Sequence, residues 1–211
     1  MKKQNIPTII FFGAIWGIIE ATLGHLLHLL PISIYISGSI MFPIVAYILY
    51  KAYALTKSKS SLLAIGMIAA LIKAVDFFMP FGSPFKILNP MYSIIMESLM
   101  VVLVISLLNK KDLLNKASGL VIASFGWRLL YIGYMGVQFL ATGYVSDYLV
   151  TFSATLNYVV TFGFISAIAA LTIHYLDILA FKNVTLRYSR KINPIVSAVI
   201  LVFAIVLTLF I

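Results

Sequence analysis

The stretch FFGAIWGIIEATLGHLLH, Phe11 to His28, decides how this chain is read. Almost every residue in it is apolar, yet Glu20 stands in the middle, with Gly13, Gly17 and Gly24 around it. Such a run reads as a membrane-crossing helix, because about 20 apolar residues cover the roughly 30 Å of bilayer hydrocarbon. It is too long and unbroken for a secretory-signal core and has no Ala-x-Ala-like cleavage site, so it is expected to be a retained span. A carboxylate inside a span costs at least ~2.5–3.5 kcal/mol and marks a functional candidate.

The rest of the chain has the same character. Of 211 residues, 63% are hydrophobic and 10% charged, where a soluble domain carries about 25% charged residues. A soluble fold of this size could not hide so much apolar surface. The expectation is an all-α integral membrane protein. Seven segments are long enough to cross: about 6–30, 32–55, 61–81, 88–108, 117–141, 147–176 and 192–211. None shows the period-two alternation of a membrane barrel. Short connections and the lack of a linker or repeat make residues 1–211 one helical domain. Cysteine is absent, which excludes disulfides, a thiolate nucleophile and Cys-ligated metal.

Lys and Arg set the orientation. Lys2, Lys3, Lys51, Lys57, Lys59, Lys110, Lys111, Lys116, Lys182, Arg187, Arg190 and Lys191 fall on one side of the expected spans, and Lys86 alone on the other. The basic side is read as cytoplasmic, with the N-terminus inside a cytoplasmic (inner) membrane. The net charge of +9 is then a topology signal with some attraction to anionic lipid, and needs no nucleic-acid partner.

Five charges remain inside the spans: Glu20, Lys73, Asp76, Glu97 and Arg128. At about 1.5 Å per residue, Glu20, Lys73, Asp76 and Glu97 lie roughly 15, 12, 7 and 13 Å below the outer surface, and Arg128 roughly 20 Å. Asn157 falls at a similar level, about 13 Å down. Different helices therefore bring charge to one level in the outer half of the bilayer. The expectation is an outward-facing polar cavity for a small solute, with Trp127 and Tyr131 flanking Arg128 as stacking groups. The competing reading is a buried ion-pair network that fixes helix packing. The run FMPFGSPFKILNP, Phe78 to Pro90, with its three prolines, reads as a non-helical lid or an ordinary turn. Tyr144 and Tyr148 read as interfacial aromatics.

On the first span, Gly13, Gly17, Glu20, Gly24 and His28 share one stripe. Small-residue stripes let helix backbones approach closely, so Gly13, Gly17 and Gly24 serve either internal packing or docking of a partner subunit. His25 and His28 are weak metal candidates, since His25 lies off the stripe and zinc needs three or four ligands. No hydrolase, zincin or phosphate-loop motif is present. An intramembrane enzyme using Glu20, Asp76 or Glu97 stays open as an alternative, as does a structural or assembly subunit.

The run SGSIMFPIVAYILYKAYALTKSKSSLLAIGMIAALIKAVDF, Ser37 to Phe77, with NPMYSIIMESLM, Asn89 to Met100, resembles the substrate-binding S-components of energy-coupling factor vitamin transporters. The likeness rests on small residues, a proline in the second span, a basic loop and an apolar helix ending in charge. It implies a six-helix core, with 192–211 as an addition. It also implies a vitamin-like ligand near the outer surface, and a transmembrane coupling subunit and ATPases as partners. The sequence-based expectation is a solute-binding uptake protein.

Overall fold

The computed structural model describes residues 5–29, 34–80, 83–181 and 192–211. Helix α1 (Ile6–Ile19) runs through a π-helical turn, Glu20–Gly24, into the short α2 (His25–Leu29). Then come α3 (Ile34–Thr56), α4 (Lys59–Lys73) ending in a 3-10 turn at Ala74–Phe78, α5 (Phe85–Leu108) and α6 (Leu113–Thr142). The short α7 (Phe152–Leu156) passes through a second π-helical turn, Asn157–Thr161, into α8 (Phe162–Phe181). Helix α9 (Pro194–Phe210) follows. No strand occurs among the described residues.

Local chemistry sets the helix ends. Ser58, Asp112, Thr151 and Asn193 each accept a backbone N–H in the first turn of the following helix, which satisfies donors that have no partner within the helix. Gly143 closes α6 at φ +72°, a conformation that favours glycine.

Six helices are long and apolar enough to cross a membrane: Ile6–Leu27, Ile36–Thr56, Lys59–Phe78, Phe85–Leu108, Leu113–Thr142 and Phe152–Ile178. In the expected seventh span the described helix is shorter than the other six. Helix α9 is apolar but has 17 residues, about 25 Å at 1.5 Å per residue and short of the roughly 30 Å of hydrocarbon. It lies along α1, where Ala204 packs with Ala14 and Ile72. The basic residues Lys2, Lys3, Lys182, Arg187, Arg190 and Lys191 lie outside the described residues.

The helices close a ring. Helix α1 packs on α4, α4 on α5, α5 on α6, α6 on α8, α8 on α3, and α3 back on α1 and across to α5. The core runs through this ring, from Trp16, Phe42 and Leu49 to Leu62, Ile94, Ile105 and Trp127. Within the stretch 78–90, expected to be non-helical, helix α5 already begins at Phe85 and carries Pro90 inside it.

Candidate binding site

A cavity of about 100 Å³ opens inside the ring at the end opposite the Lys57 and Lys110 loops. Glu20 borders it from α1; Ser37, Gly38 and Met41 from α3; Pro90, Ser93 and Glu97 from α5; Trp127 and Tyr131 from α6; and Tyr148 and Tyr158 from the segment leading into α8. Both π-helical turns reach this cavity, one through Glu20 and one through Tyr158. Single π turns widen a helix locally and recur at functional sites. Pro90 adds a third irregularity, since it lacks the N–H that would bond the carbonyl four residues earlier.

The two carboxylates differ in their surroundings. Glu20 accepts a hydrogen bond from the Trp16 indole, 3.1 Å from Nε1 to Oε1, and is partly buried. Glu97 is buried to 3% exposure. Its Oε1 accepts from the Ser93 hydroxyl at 3.2 Å, and its Oε2 has no hydrogen-bond partner. Neither forms a salt bridge; among the described residues these join Lys51 to Asp177 and Lys73 to Asp76.

Arg128 lies fully buried behind the wall and is not part of the cavity lining. Its guanidinium carbon sits 4.4 Å from the Trp127 ring centroid and 5.5 Å from that of Tyr158. It donates to the Ser124 carbonyl at 3.0 Å and the Ser39 hydroxyl at 2.9 Å. Aromatic faces attract such a cation, so the charge is held by rings and oxygens. Gly38 permits this stacking, because a Cβ there would lie 2.8 Å from Trp127 Cη2. Tyr131, Tyr148 and Tyr158 complete an aromatic wall, with Tyr148 and Tyr158 ring centroids 4.3 Å apart.

Of the residues singled out in the sequence, Glu20, Glu97, Trp127 and Tyr131 meet at the cavity. Lys73 and Asp76 do not line it; they pair with each other at 2.6 Å across one helical turn. Asn157 is exposed, while its neighbour Tyr158 points inward. Depth along a helix gives a residue's level but not its direction, and the π turn at Asn157 shifts that direction. The contributions of Ser37, Gly38 and Met41 were not signalled, because small and apolar residues are unmarked in an apolar helix. Tyr148, read as an interfacial residue, lines the cavity instead.

The glycine stripe is used inside the molecule. Cβ atoms at Gly13 and Gly17 would lie 2.7 Å and 2.6 Å from Ile68 and Ile72 of α4. Helix α4 thus occupies the face that a docking subunit would need. Gly24 faces Glu20, whose Oε2 would sit 3.2 Å from a Cβ there. His25 is exposed, and the His28 side chain lies outside the described residues. No cluster of three potential metal ligands occurs among the described residues.

The chain matches no protein-family model, no curated protein and no solved structure.

Proposed function

We propose that this protein is a multi-pass protein of the cytoplasmic membrane that binds a small molecule for uptake in the cavity between α1, α3, α5, α6 and α8. Its lysine-rich loops face the cytoplasm and the cavity faces outward. One observation carries the reading: Glu97 borders the cavity while buried, with one oxygen unbonded and no salt bridge. Leaving such a group unsatisfied costs about 1–3 kcal/mol or more, a cost that a bound ligand offsets. A polar group beside aromatic walls is also the usual make-up of a small-molecule site. These 211 residues carry no nucleotide-binding motif. Concentrative uptake therefore draws on partner subunits, such as a coupling subunit with ATPases, or on an ion gradient.

The assembly-subunit reading keeps one observation in its favour. Lys73 and Asp76 neutralise each other directly and do not line this cavity. Native mass spectrometry of the detergent-purified protein separates the two. A small molecule released from wild type and absent from Gly38→Leu, which pushes Trp127 into the cavity, supports binding. A retained partner chain, with no small molecule in either protein, supports assembly.

A further inference from the structure

The proposed binding reading can be taken to a ligand class, and the inference below rests on it. We infer that the cavity takes a small protonated amine carrying an apolar or planar group. Two carboxylates, Glu20 and Glu97, border the cavity, and among the described residues no Lys or Arg does. The nearby cations have partners of their own: Lys73 pairs with Asp76, and Arg128, its Nε unbonded, donates to the Ser124 carbonyl and the Ser39 hydroxyl behind the wall and stacks on two rings. With every group ionised, Glu20, Glu97, Lys73, Asp76 and Arg128 sum to −1, so one monovalent cation balances the site. Glu97 Oε2 lacks a donor, and an ammonium N–H supplies one where a quaternary ammonium or a metal ion cannot. Tyr131, Tyr148 and Tyr158 line the cavity, and aromatic rings around a site favour an organic cation. An anion would meet two carboxylates in a poorly screened space, where like charges repel strongly.

The test uses three molecules of nearly one shape: benzylammonium, benzyl alcohol and benzoate. Trp127 forms part of the wall and Trp16 donates to Glu20, so the protein's two tryptophans both report on the site. Titrations of the detergent-purified wild-type protein at pH 7, read by tryptophan fluorescence excited at 295 nm, are expected to show benzylammonium binding at least about tenfold more tightly than either analogue, the ratio that one charge-assisted hydrogen bond confers. Glu97→Gln is expected to remove that preference. The near-isosteric exchange retains the fold, and the wild-type series decides the matter without it. Benzyl alcohol or benzoate binding as tightly as benzylammonium overturns the amine inference and leaves a small-molecule site standing. No response to any of the three overturns the inference and the binding reading together.

Discussion

Arg128 shows how a full charge can be kept in an apolar ring without a carboxylate against it. Its planar guanidinium serves two ring faces and two oxygens at once. Lysine has no flat face and concentrates its charge in one ammonium. Arg128→Lys should therefore lower stability by on the order of 2 kcal/mol, about the worth of one hydrogen bond to a charged group. Thermal unfolding in detergent measures this, and an unchanged midpoint would show that the stack contributes nothing. Gly38 is the second sensitive position. In Gly38→Ala the new methyl would lie 2.8 and 3.2 Å from the Trp127 ring, so the indole must shift. On a Trp16→Phe background, which leaves Trp127 as the sole tryptophan, Gly38→Ala should move the emission maximum. An emission spectrum identical to that of the parent would mean that the ring does not rest on Gly38.

At the scale of elements, the contact of α1 with α4 depends on two missing side chains. A methyl at Gly13 would meet Ile68 at its Cβ and Cγ2, both 2.7 Å away, and the Ile65 carbonyl at 3.2 Å. Atoms so near the backbone cannot swing aside. At Gly17 the nearest obstacle is the far end of Ile72, Cδ1 at 2.6 Å, which can turn. Gly13→Ala should thus cost about 1–3 kcal/mol, the usual range for overpacking, and Gly17→Ala less. Equilibrium unfolding of both variants tests the order, and equal losses would refute it. Helix α6 offers a pH test. The Leu114 and Asn115 amides and the Asn115 side chain all donate to the Asp112 carboxylate. The backbone bonds, chiefly from Asn115, hold its pKa below the usual aspartate value. A depressed carboxylate contributes stability that is fully present above the unfolded value, about 3.9, and is lost as pH falls through the lower folded one. The difference in melting temperature between wild type and Asp112→Ala should hold from pH 7 to about 5 and shrink steadily at lower pH. A constant difference down to pH 2.5 would exclude the charged cap.

The elements also show what a sequence reveals and what it hides. The long apolar helices were legible because hydrocarbon thickness demands long apolar runs, and α9 is the shortest of the seven expected. Glu20, Glu97, Trp127 and Tyr131 were legible because charge and large rings stand out against aliphatic surroundings. Ser37, Gly38 and Met41 were not, since nothing separates a cavity-lining methionine from a packed one before the neighbours are known. Lys73 and Asp76 shared a level with the cavity yet paired locally. Three-residue spacing places two side chains on one face, but it does not say toward which neighbour that face turns.

At the scale of the molecule, the ring gives the two ends opposite characters. Lys57, Lys59, Lys110 and Lys111 crowd the loops at one end, whereas Lys86 stands near the end where the cavity opens. Under the proposed orientation the first end is cytoplasmic, and the cavity meets solute before any partner acts. The absence of cysteine makes this directly measurable, because each introduced thiol is then the only one. Ser60→Cys and Lys111→Cys place an exposed thiol at the basic end; Lys86→Cys and Asp147→Cys place one near the other end. A membrane-impermeant maleimide applied to intact cells should label positions 86 and 147 and spare 60 and 111, and permeabilisation should expose all four. Because the four sites lie in successive connections or at their edges, alternation among them also reports that α4, α5 and α6 each cross the bilayer. Labelling of position 111 in intact cells would reverse the orientation. The carboxylate-lined cavity would then face the cytoplasm, where it would serve export or sensing in place of capture from outside.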